Sequence, residues 1–110
     1  MAGSGFERPR VVKVEAGEEL AIPFELRAGD RIKGQVRELS EDPFSYFLLD
    51  EKNFHRYRDR GKAYYLRYDS DISSDHFEPE IPETSRWYLI LSARRKRLDR
   101  EIEVTLKIFR

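Results

Sequence analysis

One stretch limits what this chain can become: Arg86-Trp87-Tyr88-Leu89-Ile90-Leu91-Ser92, which holds the only tryptophan inside the longest run of apolar residues. Side chains of an extended strand alternate between its two faces, so Trp87, Leu89 and Leu91 share one face while Tyr88 and Ile90 share the other. Both faces are apolar. A strand of this kind belongs in the middle of a sheet, covered by a core on one side and by a neighbour, a loop or a partner on the other. The bulk of Trp87 turns its face to the core and leaves Tyr88 and Ile90 as candidates for an interface.

Most of the remaining segments also follow a period of two. Val11, Val12 and Val14 mark a first strand at residues 10–15, stopped by Ala16-Gly17-Glu18-Glu19. Leu20, Ile22, Phe24 and Leu26 line one face of a second, whose Pro23 has no N–H to donate and so predicts an edge or a bulge. Past Arg27-Ala28-Gly29-Asp30, Ile32, Gly34 and Val36 carry the inward face onward, which predicts a hairpin with the second strand. Gly34 leaves space there for a large side chain from the facing sheet. Phe44-Ser45-Tyr46-Phe47-Leu48-Leu49-Asp50 is again apolar on both faces and is the natural neighbour of the Trp87 strand.

Between Asp50 as N-cap and Gly61 as terminator, residues 51–60 predict one or two helical turns, pinned to the sandwich by Phe54 and Tyr57. A strand is expected at residues 62–68, with Tyr64, Leu66 and Tyr68 on one face, then a polar loop at 69–75. Residues 76–81 carry Pro79, with Pro82 just beyond, and read as an edge strand. The turn Arg94-Arg95-Lys96-Arg97-Leu98-Asp99-Arg100 is expected at the tip of a last hairpin. It leads into residues 101–109, where Ile102, Val104, Leu106 and Ile108 face inward.

About eight strands, no long helix and no internal repeat imply an all-β fold, an antiparallel two-sheet β-sandwich of jelly-roll or Greek-key kind. The chain's 110 residues make one domain, expected at residues 10–110 behind a flexible N-terminal segment at residues 1–9. With no cysteine there is no disulfide framework and no thiolate chemistry. No apolar run reaches the length of a signal peptide or a membrane span. Those two features together predict a soluble, cytoplasmic protein. Fifteen Arg against six Lys, with one Asn, one Gln and one Met, is the direction thermophilic proteins take.

In the order of its segments the chain resembles the GOLD-type β-sandwich of the emp24/p24 cargo receptors. The resemblance lies in Ala16-Gly17-Glu18, then Gly29-Asp30-Arg31-Ile32-Lys33-Gly34, then Phe47-Leu48-Leu49-Asp50 with Asn53 behind it. A variable loop, the aromatic-led strand at residues 87–91 and the closing strand at residues 102–108 complete it. The chain departs from the p24 pattern in having no cysteine pair, signal peptide, coiled coil or membrane anchor. What the resemblance implies is a module that binds other proteins rather than one that catalyses.

The candidate chemistry is sparse. His55 and His76 have no catalytic motif around them, and the common nucleotide and hydrolase patterns are missing, so no catalytic residue and no cofactor are assigned. Asp69, Asp71 and Asp75 carry oxygens of the kind Ca²⁺ takes, without the spacing of a calcium loop. Arg94, Arg95, Lys96, Arg97 and Arg100 form the densest basic cluster and are candidates for an anionic partner. They lack interleaved aromatics, and the chain has 21 cationic against 21 anionic side chains, so nucleic acid is not the expected partner. The six tyrosines exceed what a core of this size needs. Tyr46, Tyr65 and Tyr88, with Ile90, are therefore interface candidates. The reading is a non-catalytic module for protein–protein interaction or self-assembly, with a carbohydrate-binding or shell and decoration role as the alternative.

Overall fold

The computed structural model describes residues 8–109. Eight strands and one helix are found among them, in the order β1 (Arg10–Val14), β2 (Glu19–Leu26), β3 (Arg31–Glu38), β4 (Phe44–Asp50), α1 (Glu51–Arg60), β5 (Arg67–Ile72), β6 (Ser74–Phe77), β7 (Ser85–Ser92) and β8 (Arg100–Phe109). They build two antiparallel four-stranded sheets, β1-β8-β3-β6 and β2-β7-β4-β5. Of the flexible segment expected at residues 1–9, residues 1–7 lie outside the described residues. Among the described residues no helix is long and apolar enough to cross a membrane.

The core lies between the sheets, where the two periodic strands meet. Trp87, Leu89 and Leu91 of β7 join Ile102, Val104, Leu106 and Ile108 of β8 in one buried cluster, none more than 3% exposed. Full burial of each such side chain stabilises by about 1.5–3 kcal/mol relative to leaving it in water. The indole N–H of Trp87, which would be costly to bury alone, donates to the Glu83 carbonyl at 3.0 Å. Pro23 sits on β2, an edge strand paired only with β7, as its missing N–H predicts. The pairing of β4 with β7 runs from Ser45↔Ser92 to Asp50↔Trp87.

The two expected hairpins do not form. β2 and β3 lie in different sheets, and so do β7 and β8. The β2–β3 turn is instead pinned to the segment between β6 and β7: Gly29 N–H donates to the Ile81 carbonyl at 2.8 Å, and Ile81 N–H returns to the Asp30 carbonyl at 2.7 Å. An inward alternation reads the same whether the next strand stays in its sheet or crosses to the facing one, which is why the pattern misled. Gly34 does make room for an aromatic ring, but that ring is Phe77 from β6, its paired neighbour in the same sheet. A Cβ at position 34 would overlap the ring.

A second correction concerns residues 62–75. The strand expected at 62–68 begins only at Arg67, and the expected polar loop at 69–75 supplies most of β5 and part of β6. Both are edge strands, β5 with no buried side chain and β6 with only Phe77 buried, so their pairing leaves little mark on the hydrophobic pattern. Ala63 and Tyr65 pack on the outer face of the β2-β7-β4-β5 sheet, while Leu66 reaches the inter-sheet core.

Candidate functional site

The outer face of β2-β7-β4-β5 is apolar at its centre because β4 and β7 are apolar on both sides. Phe47, Leu49 and Ile90 form a second buried cluster there, closed over by Phe54, Tyr57, Ala63, Tyr65 and Tyr88. The helix α1 supplies the lid. Asp50 caps it by accepting from the Asn53 N–H at 2.9 Å, and Gly61, at φ 70°, ends it with its N–H on the Tyr57 carbonyl. Phe54 stacks on Tyr88 with centroids 3.9 Å apart.

Where α1 stops covering the sheet, a cleft of about 380 Å³ opens. Phe47 and Ser45 of β4 and Ser92 of β7 line it, with Tyr68, Ser70 and Asp71 of β5 on one side. Glu19 of β2, Tyr57 of α1 and the Arg94-Arg95-Lys96 loop complete it. Tyr68 is 52% exposed and stacks on Phe47, centroids 5.3 Å apart and planes within 7°. Such half-exposed aromatics, backed by a buried ring, are the residue type that carries binding energy at interfaces.

Two charge networks hold the walls. The Tyr57 hydroxyl donates to Glu19 Oε2 at 2.7 Å, and the Arg94 guanidinium lies beside the same hydroxyl. Burial, reinforced by the Glu19 carboxylate, pushes the Tyr57 phenol up to about 12, so it keeps its proton and serves as a donor. Across the cleft Lys96 Nζ pairs with Asp71 Oδ1 at 2.7 Å, which holds the Asp71 carboxyl below its usual value. Asp71 and Arg95 both adopt the left-handed backbone, at φ 52° and 63°, unusual for side chains other than glycine.

The predicted site residues divide sharply. Arg94, Arg95 and Lys96 line the cleft, whereas Arg97 is exposed outside its lining. Arg100 is not available to an anion: it is 6% exposed and its guanidinium is spent on the Pro43 and Leu98 carbonyls, at 2.7 and 2.9 Å. Ile90, expected on a bare face, is 2% exposed beneath the helix layer, and Tyr88 is covered by Phe54. Tyr46 faces the core instead of an interface, its hydroxyl donating to Asp75 and accepting from Arg67 Nε at 3.2 Å. Burial and the Asp75 carboxylate push that phenol up to about 12. Tyr65 is half-buried and stacks against Tyr68.

The three aspartates are drawn apart. Asp71 pairs with Lys96, Asp75 with Tyr46 and Arg67, and Asp69 accepts from the Ser70 N–H. Among the described residues no three His, Cys, Asp or Glu side chains gather as a metal site requires. Glu19, Ser45, Tyr57, Tyr68, Ser70 and Ser92 were not foreseen as site residues. Outward parity beside Phe47 was the one signal available for Ser45 and Ser92. Glu19 and Tyr57 reach the cleft only through the packing of α1.

The sequence matches no family model, and no curated protein matches it. Solved structures do share the fold. The periplasmic inhibitor of g-type lysozyme PliG from Aeromonas hydrophila aligns with a TM-score of 0.70 at 8% identity, over 94% of this chain and 86% of its own. The pre-peptidase C-terminal domain of a Bacillus anthracis collagenase aligns at 0.61 and 14% identity, over 94% and 90%. The Yersinia pseudotuberculosis-derived mitogen aligns at 0.59 and 8%, over 93% and 83%. These show a shared β-sandwich. The expectation of a cytoplasmic location does not stand: a protein with this fold is periplasmic, so neither the fold nor the lack of cysteine assigns the chain to the cytosol.

Proposed function

We propose that this chain is a non-catalytic module that binds another protein through the cleft on the outer face of β2-β7-β4-β5. One observation carries the reading. The central strands of that sheet are apolar outward beneath α1, and where they run out from under it, at Ser45, Phe47 and Ser92, they are rimmed by Tyr68, Arg94 and Arg95. Tyrosine and arginine are the residue types enriched at interface hot spots. The shared fold of a lysozyme inhibitor and the GOLD-type resemblance support the same reading. Catalysis has no obvious agent here. Tyr57 holds its proton, and His55 and His76 lie outside the cleft.

A photocrosslinking residue in place of Tyr68, introduced in the native cells, tests this. The expected result is one discrete protein adduct that disappears when Arg94→Ala is added. The same crosslinker at Lys107, on the outer face of the other sheet, should give no such adduct. Equal labelling from both positions would contradict the reading, and adducts only to polysaccharide would move it to carbohydrate binding.

A further inference from the structure

The donors and acceptors of the cleft are out of balance. Each of its two carboxylates already has a donor on one oxygen: Glu19 receives the Tyr57 hydroxyl at 2.7 Å beside Arg94, and Asp71 receives Lys96 at 2.7 Å. Not all of its donors have an acceptor. Ser45 Oγ accepts the Asp71 N–H and Ser92 Oγ accepts the Arg94 N–H, each at 3.3 Å. Those bonds fix the two oxygens and leave each hydroxyl proton undonated, since a serine hydroxyl is a donor as well as an acceptor. Arg95, on the rim in its left-handed conformation, has no partner among the described residues. Three cations lie against two carboxylates in the lining, so one positive charge is left over.

A site with spare O–H and guanidinium donors and a single excess positive charge complements a monoanion with several acceptor lone pairs. A carboxylate has that chemistry. A phosphomonoester carries roughly −1.5 to −2 at neutral pH and would exceed the charge the cleft leaves unpaired. Resting on the reading of the cleft as a protein-binding site, we propose that it receives an aspartate or glutamate side chain of the partner. The Arg95 guanidinium and the Ser45 and Ser92 hydroxyls hold the carboxylate, and the Tyr68 ring packs against its methylenes.

Titration of ¹⁵N-labelled protein with N-acetyl-glutamate N-methylamide tests this. The amides of Asp71 and Arg94, which bond the two serine oxygens, should shift saturably. The glutamine derivative should produce no such shifts. Arg95→Gln should weaken the glutamate derivative at least tenfold while Arg97→Gln stays within twofold of the parent. If Arg95→Gln disturbs the loop, Arg95→Asn, which tolerates the left-handed backbone, should show the same loss with the fold kept. An equal response to the glutamine derivative, or full binding by both Arg95 variants, overturns the proposal. So does tighter binding of methyl phosphate or methyl glucuronide, which would assign the cleft to a phosphorylated or saccharide ligand. If crosslinking at Tyr68 captures a protein while the glutamate derivative fails to bind, the protein-binding reading stands and the carboxylate proposal falls.

Discussion

The two sheets share one core, yet their outer faces are built in opposite ways. On β1-β8-β3-β6 the outward positions of the central strands are Arg31, Lys33, Gln35 and Arg37 on β3 and Glu101, Glu103, Thr105 and Lys107 on β8, all at least partly exposed. Water finishes that face. On β2-β7-β4-β5 the outward positions Phe47, Leu49 and Ile90 are buried, and α1 with its following segment is spent on covering them. An apolar outer face must be covered by something, and here the cover reaches as far as the apolar residues do, leaving Ser45 and Ser92 beyond it. The cleft is what remains where the helix ends and the Arg94-Arg95-Lys96 loop begins.

Substitutions on the two faces should separate them. The largest effect is expected inside: Trp87→Ala should cost about 3–5 kcal/mol by chemical denaturation. Ile90→Ala, one strand position class away and outward, should still cost about 2–4 kcal/mol because that face is a second core. Thr105→Ala, outward on the other sheet, should stay within about 0.5 kcal/mol. If Ile90→Ala were as mild as Thr105→Ala, α1 would not be a true cover.

Smaller effects sharpen the contrast within the first sheet. Gly34→Ala should cost about 1–3 kcal/mol by forcing a Cβ into the Phe77 ring. Combined with Phe77→Ala it should cost less than the sum of the two. Glu38 is 2% exposed and its carboxylate accepts from the Ser40, Asp42 and Glu101 N–H groups. Burial alone would push its carboxyl up, but those bonds, with the Arg100 charge, outweigh burial and hold it below the usual carboxylate value. A depressed folded value contributes stability that is present above the unfolded value and lost as pH falls through the folded one. Glu38→Gln should therefore cost about 1–2 kcal/mol at neutral pH, measured by denaturation, with the gap to the parent closing in acid.

The sequence showed the fold better than the site, for a physical reason. A period of two records burial, so it marked β2, β3, β4, β7 and β8 and the face of each that meets the core. It also fixed both caps of α1, because Asp50 and Gly61 act locally. Burial parity does not record which sheet a strand joins, so the two hairpins were misplaced. It is also silent at β5, an edge strand of Arg67, Tyr68, Asp69, Ser70, Asp71 and Ile72 that owes its place to backbone pairing with β4. The apolar outward face of the Trp87 strand was legible, but the helix that covers Ile90 comes from 30 residues or more earlier in the chain. The cleft draws on β2, β4, α1, β5, β7 and a loop, and such convergence is a property of packing that no single stretch displays.

Once a partner has been captured, its affinity for two folded variants of equal melting temperature tests the asymmetry of the outer faces most directly. Tyr68→Ala, in the cleft, should weaken binding at least tenfold, and Thr105→Ala, on the water-finished face, should leave it within twofold. The reverse pattern, or equal losses from both, would contradict the assignment of function to the helix-bearing sheet.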